Sequence, residues 1–306
     1  MTRTLLIGSR GSKLALTQSN FIAGAIRALE PDLHVEVEII HTKGDKILDA
    51  PLAQIGGKGL FTKELEVALQ ERRIHLAVHS LKDLPTELPG GLTLASVPKR
   101  ESPYDAFVCT KWDNVDALPA NARVGTSSLR RGAQLRAYRP DLEIVPIRGN
   151  VETRLRKVEE GDVEAAVLAC AGLNRLSLSH AVVYALDVDI MVPAPAQGAL
   201  GIEARADDAE TLTLLSRLSD PQTAAEVRAE RACLATLEGG CQVPLGALAR
   251  LNGSLLELTA CVCSPDGTTV LRTWLSAPIN DAESLGVRAA EALLDQGAGA
   301  IIAAAR

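Results

Sequence analysis

Apolar positions along the chain change their period several times, and the changes mark out its elements. Residues 4–8 read as a strand, and over 13–29 Leu14, Phe21, Ile22, Ala25, Ile26 and Leu29 form one helical stripe. Strands at 35–41, 76–79 and 92–97 and a helix over 62–71 follow. A second series opens after Pro98-Lys99-Arg100-Glu101-Ser102-Pro103, whose prolines break either period. It places strands at 106–110, 123–125, 143–146 and 165–169, with helices over 128–138 and 151–160. Two successive βα series predict two α/β domains with mainly parallel sheets and a ligand at the strand ends, in an interdomain cleft.

Pro193-Ala194-Pro195-Ala196-Gln197-Gly198 is a second hinge candidate. Asp220-Pro221 then supplies an N-cap and a first-turn proline for a helix running to about residue 236. Strands at 245–251, 255–263 and 268–276 are joined at Asn252-Gly253 and Asp266-Gly267, both hairpin dipeptides. A helix over 281–295 completes a small C-terminal α+β domain with a three-stranded antiparallel sheet. The expected division is 1–98 plus about 199–216, 104–192, and 220–306.

Composition narrows the class. Of 306 residues, 47% are apolar and 23% charged, enough to bury a full core. No apolar run approaches the roughly 18 residues that span a bilayer, and the N-terminal run is too short for a signal peptide. A cytoplasmic protein without membrane contact is expected. The six cysteines (Cys109, Cys170, Cys233, Cys241, Cys261, Cys263) include no C-x-x-C pair, so neither a metal site nor a disulfide framework is expected. Cys261 and Cys263 share one face of a strand and read as core thiols. The net charge of −6 argues against nucleic acid as a partner. Between residues 123 and 157, however, nine basic residues face three acidic ones, a local field suited to a small polyanion.

The chemistry collects at strand ends. Gly8-Ser9-Arg10-Gly11-Ser12, Gly125-Thr126-Ser127-Ser128-Leu129-Arg130-Arg131 and Arg148-Gly149-Asn150-Val151-Glu152-Thr153-Arg154 are three strand-to-helix turns carrying arginines. Helix N-termini offer free N–H groups and arginine a bidentate fork, so together they suit a ligand with many carboxylates. Ser12 alone is equally well a plain N-cap. His79-Ser80-Leu81-Lys82-Asp83 follows the strand at 76–79 and places one acid, Asp83, beside Lys82 among cations, a carboxylate suited to a developing positive charge. A turn aspartate and a structural His79 are the competing readings. The glycine-rich stretch from Thr42 through Lys58 to Leu60-Phe61 lacks the Ser or Thr that a phosphate loop needs after its lysine, and reads as a lid over an anion. Cys241 stands in Glu238-Gly239-Gly240-Cys241-Gln242-Val243-Pro244, a bendable loop that presents the thiol. Arg139, at a helix end, reads as solvated.

Taken in order from Arg10 to Pro244, these motifs, with Gly57-Lys58-Gly59-Leu60-Phe61-Thr62-Lys63-Glu64, resemble the porphobilinogen deaminase (hydroxymethylbilane synthase) family over essentially the whole chain. Gln54, Ser102 and Tyr104 depart from the family's lid and hinge residues. The resemblance implies two lobes like those of periplasmic solute-binding proteins, and a dipyrromethane cofactor held by a thioether on Cys241. It implies that Arg10, Ser12, Lys82, Thr126, Ser127, Ser128, Arg130, Arg131, Arg148, Gly149, Arg154 and Arg175 bind cofactor and substrate carboxylates. Lys58 and Phe61 belong to the lid. Asp83 would serve as ammonia leaves and a cationic azafulvene forms. Four porphobilinogen molecules would be joined head to tail by a monomeric enzyme, and hydrolysis would release hydroxymethylbilane. The alternative from another class is a non-catalytic two-lobed anion-binding protein.

Overall fold

The computed structural model describes residues 4–42, 44, 59–237 and 243–305. In chain order its elements begin with β1 (Thr4–Ser9), α1 (Lys13–Leu29), β2 (His34–Ile39), α2 (Lys63–Gln70), β3 (Leu76–Ser80) and β4 (Leu92–Ser96). Next come β5 (Asp105–Cys109), β6 (Arg123–Gly125), α3 (Leu129–Tyr138), β7 (Glu143–Val145), α4 (Val151–Glu159), β8 (Ala165–Ala169), α5 (Cys170–Arg175) and β9 (Tyr184–Ala185). The last third holds β10 (Leu200–Arg205), α6 (Ala209–Ser216), α7 (Pro221–Thr236), β11 (Leu245–Asn252), β12 (Leu255–Cys263), β13 (Val270–Pro278), α8 (Ala282–Asp295) and α9 (Ala298–Ala304). The chain divides into two units, Met1–Arg100 with Ala199–Ala224, and Glu101–Gly198 with Ala225–Arg306.

In the first unit five strands are ordered β2-β1-β3-β10-β4. β1 pairs parallel with β2 and β3, while β10 runs antiparallel between β3 and β4. Strand β1 alternates Leu5 and Ile7 into a cluster with Ile22 and Ile26 of α1, while Leu6 packs with Leu65 and Leu69 of α2 on the other face. This is the period of two that places one side chain on each face in turn.

The second unit repeats the pattern, ordered β7-β6-β8-β5-β9, with β5 the reversed strand. The other four strands of each sheet share one direction, so the sheets are mainly parallel. In β5, Phe107 and Cys109 enter one apolar cluster and Ala106 and Val108 the other. The same unit holds the antiparallel sheet β11-β12-β13, joined as expected at Asn252-Gly253 and near Asp266-Gly267, with α7 and α8 packed over it through Ala229, Cys233, Leu285 and Leu293. Cys261 and Cys263 are buried side by side, their sulfurs 3.4 Å apart.

Two expectations change, and one strand is unforeseen. β10 breaks the apolar pattern with Glu203 and Arg205 and is not legible as a strand, yet it lies inside its sheet between β3 and β4. The buried stripe of α1 is Ala15, Gln18, Ser19, Ile22, Ala23 and Ile26, which leaves Phe21 63% exposed. Arg139 is no solvated end. It caps α3, donates to the carbonyls of Val115, Asp116 and Leu118, and forms a two-pronged pair with Asp141 at 2.7 Å.

Candidate functional site

In the first unit β1 ends at Ser9 and α1 begins at Lys13, so the turn between them stands at the strand's C-terminal edge. Ser12 is the N-cap and its hydroxyl accepts from the Ala15 N–H at 3.3 Å. The guanidinium of Arg10 lies 4.1 Å from the centre of the Phe61 ring, in the range of a cation–π contact. Strand β3 delivers His79 and Ser80, and a single 3₁₀ turn, Leu81–Asp83, follows at once. That turn leaves Lys82 half-buried and Asp83 exposed. Arg10, Ser12, Gln18, Phe61, Thr62, His79, Ser80 and Asp83 line one pocket. Gln18 and Ser80 exchange hydrogen bonds of 2.9 and 3.3 Å in its wall. One cationic fork and one exposed carboxylate therefore share a small pocket of mixed polar and apolar lining.

The second unit builds its cluster from cations. After β6, Thr126 accepts from the Ser128 N–H at 3.2 Å, Ser127 donates to the Ile147 carbonyl at 2.7 Å, and Ser128 caps α3. Arg130 and Arg131 enter the interior, where both grip Asp105. Arg130 makes two bonds to it, 2.7 and 3.1 Å, and a third to the Val192 carbonyl. Arg131 adds Nε to Asp105 Oδ1 at 2.8 Å and reaches the Val167 carbonyl at 3.0 Å. Gln197 donates to the same carboxylate. Burial alone would push the Asp105 carboxyl up, but Arg130 and Arg131 outweigh it and hold the group well below the usual carboxylate range.

The turn after β7 adds two more cations. Gly149 adopts φ +107, a conformation L side chains rarely take, and an added Cβ would meet the Thr153 side chain at 2.6 Å. Asn150 caps α4 through the Thr153 N–H. Arg154 donates Nε to the Gly149 carbonyl at 2.9 Å. Its guanidinium is pushed down to about 10, by burial first and then by Arg131 and Arg148. Arg148 makes no hydrogen bond or ion pair among the described residues. Arg175, at the end of α5, donates to the Gly198 carbonyl at 2.7 Å and is pushed down to about 10 by burial, with Glu101 opposing. Cations that raise one another's energy are an arrangement an anion relieves.

The structure thus brings Arg10, Ser12, Phe61 and Asp83 to one pocket and sets Arg131, Arg148 and Arg154 within electrostatic reach of one another. Arg130 and Arg131, expected to bind carboxylates of a ligand, are both engaged by Asp105 in the interior. Lys58, Gln54 and Cys241 lie outside the described residues. Sequence reasoning missed Asp105 and Gln18. The one charged residue opening the apolar run Asp105-Ala106-Phe107-Val108-Cys109 was the available signal for the first; the second had none. No group of three or more His, Cys, Asp or Glu that could hold a metal occurs among the described residues, and no described helix is long and apolar enough to cross a membrane.

Residues 5–213 match the family model "porphobilinogen deaminase, dipyromethane cofactor binding domain", and residues 224–295 match "porphobilinogen deaminase, C-terminal domain". The porphobilinogen deaminase of Desulforudis audaxviator (strain MP104C) is 53% identical over 306 residues, covering 100% of this chain and 99% of that protein. Those of Syntrophotalea carbinolica and Roseiflexus sp. (strain RS-1) are each 51% identical, covering 98% and 99% of this chain and 95% and 100% of their own lengths. The solved structure of the methionine binding protein MetQ is 12% identical with a TM-score of 0.45, covering 70% of this chain and 89% of that one.

Proposed function

The chain belongs to the porphobilinogen deaminase family, and from that membership we infer how its residues divide the work. It is a transferase of tetrapyrrole biosynthesis that uses a dipyrromethane cofactor and acts on porphobilinogen, joining four molecules and releasing hydroxymethylbilane. This sets aside the non-catalytic anion binder. The cofactor supplies the growing end on which substrate units are assembled.

Cys241 is the attachment residue in this reading. Support comes from the other five cysteines, all buried, with burial pushing the Cys233 thiol up to about 12. A buried thiol is screened from a substrate, and where burial raises it, as at Cys233, the reacting thiolate is scarce. The observation that carries the carboxylate-binding role is the Arg131, Arg148 and Arg154 cluster. Its mutual repulsion fits a cofactor and substrate bearing an acetate and a propionate on every ring. Arg130 and Asp105 hold the inner side of that cluster, Thr126, Ser127 and Ser128 its helix start and Gly149 its turn, and Arg175 takes a further carboxylate. Arg10, Ser12 and Lys82 take carboxylates in the first unit. Asp83 supplies the negative charge opposite the cation left when ammonia departs, and holds or accepts the proton of the reacting amine or ring nitrogen. Phe61, stacked on Arg10, and Lys58 close over the ligand. The reading extends to three domains, bounded as in the sequence division, and to a cytoplasmic monomer that binds neither nucleic acid nor membrane, in keeping with the net charge of −6.

Intact mass and peptide mapping of the purified protein test the assignment. The expected increment is two porphobilinogen masses less two ammonia, on the peptide containing Cys241. The same adduct on Cys109, Cys170, Cys233, Cys261 or Cys263 would overturn it.

A further inference from the structure

Behind the Arg10–Asp83 pocket lie buried ionisable groups that the reading above leaves without work. Glu203 occupies the middle of β10 and is fully buried. Its Oε2 stands 3.0 Å from His79 Nε2, across the β10–β3 pairing. Its Oε1 has no hydrogen-bond partner among the described residues. His79 is 6% exposed, and that remainder belongs to the pocket wall. From α2 comes Glu66, also buried, whose Oε1 accepts the Thr62 hydroxyl at 2.6 Å; Thr62 is a further pocket residue. Burial pushes the Glu66 carboxyl up against the pull of Thr62, and Glu203 adds to the rise. The interior therefore holds two carboxylates within electrostatic reach of each other and an imidazole between one of them and the pocket.

A half-satisfied buried carboxylate is a poor way to stabilise a sheet. Apolar residues of similar volume at such positions are often neutral or better for stability, and an unpartnered buried oxygen calls for an explanation. The geometry offers one. An ionised Glu203 can only accept, which would place the shared proton on His79 Nε2 and leave Nδ1 as the other ring nitrogen. This is how a second group fixes the tautomer and orientation of a working histidine. His79 is four residues before Asp83 on the segment that ends β3 and forms the 3₁₀ turn. Holding the ring holds the base of that turn.

We propose that Glu203 is a positioning residue for the porphobilinogen deaminase reaction, acting through His79 to fix the pocket wall and the Asp83 turn. This rests on Asp83 being the acid that serves the reaction. Glu203 from β10 lies 3.0 Å from His79, Glu66 from α2 is within electrostatic reach of it, and Arg10 from the β1–α1 turn and Asp83 from its own segment line the same pocket. Glu203 is fully buried and is not among the residues that line the pocket, so its loss should lower kcat and leave KM in place.

Three variants of the full-length, cofactor-loaded enzyme test this, with loading verified by intact mass. Glu203→Leu removes charge and acceptor; Glu203→Gln keeps an acceptor for Nε2–H; His79→Gln removes the ring. Nitrogen-15 NMR of the His79 side chain is the readout independent of turnover. The expected result is an Nε2–H tautomer in the wild type and in Glu203→Gln, and a mixed tautomer in Glu203→Leu. Turnover should fall at least tenfold in Glu203→Leu and His79→Gln, with KM changed less than twofold and partial rescue in Glu203→Gln. Wild-type kcat in a loaded Glu203→Leu enzyme, a rise in KM alone, or an unchanged His79 tautomer would each overturn the proposal. If Glu203→Leu does not fold, the Glu203→Gln and His79→Gln pair decides it: equal kcat in both overturns the proposal, and a tenfold gap supports it. Failure of the underlying reading is visible separately, as full turnover in loaded Asp83→Asn with the His79 tautomer still fixed by Glu203.

Discussion

The two α/β units use one sheet plan for opposite electrostatic ends. Each has a central strand followed by a hydroxyl-capped helix, β1 to α1 and β6 to α3, and each has one reversed strand next to the parallel ones. In the first unit that turn carries a single arginine, and the neighbouring strand end brings an exposed acid, Asp83. In the second it carries two arginines, and the next turn brings two more. The charge surplus there is tied down from beneath by Asp105, which leads the reversed strand β5. A shared backbone plan supplies positions; the side chains at those positions separate a pocket suited to chemistry from a cluster suited to holding carboxylates.

The sharpest way to break this comparison is to remove the tie. Asp105→Asn leaves two buried guanidinium groups without their counter-charge, and unfolding free energy should fall by about 3–5 kcal/mol, read by urea denaturation. A fall within 1 kcal/mol would mean that Arg130 and Arg131 find other acceptors. The same tie has a pH signature. Asp105 is held below its unfolded value of about 3.9, so its contribution is present above that pH and is lost as pH falls towards the folded value. Thermal stability of the wild type should therefore drop on acidification below about pH 4 more steeply than that of the Asn variant.

Next in size is Asp83→Asn in enzyme whose cofactor load has been confirmed. It should lower kcat about a hundredfold or more, because the fixed charge opposite the developing cation is lost. A raised KM with unchanged kcat would instead make the two units alike, both of them binding surfaces. Arg148→Ala should weaken carboxylate binding by about 1.5–3 kcal/mol while leaving the melting temperature in place, since Arg148 has no partner among the described residues to lose. Calorimetry with porphobilinogen, alongside cofactor loading by mass, would show it. Smallest is Arg139→Ala, which keeps the backbone cap of α3 but removes the side chain's bonds to three carbonyls and its pair with Asp141, and should cost about 1–2 kcal/mol of stability with no effect on turnover. A variant as stable as the wild type would return Arg139 to the solvated surface.

The parts of the site that were legible share a local cause. Ser12, Ser128 and Asn150 announce helix starts because a cap bonds an N–H three residues on. The Asn252-Gly253 hairpin is local in the same way. The Arg148-Gly149 turn declares itself because only glycine takes φ +107 readily. The Phe21 error has a physical reason as well. Helical spacing identifies a stripe but not which side faces the sheet, and here Gln18 and Ser19 take interior positions through the pocket and the core.

Sequence by itself determined the alternating βα order, the C-terminal hairpins, the arginine-bearing turns and the motifs shared with the family, since each depends on residues within a few positions of one another. Tertiary structure alone decided that Asp105 clamps arginines 25 and 26 residues away, and that Glu203 meets His79 across 124 residues. Both contacts arise because β5 and β10 run against their neighbours at interior positions of their sheets. Nothing in a strand's own pattern states which neighbours it will have. A buried charge gains its partner only when the strand order is set, and the desolvation of that charge is what makes the order matter.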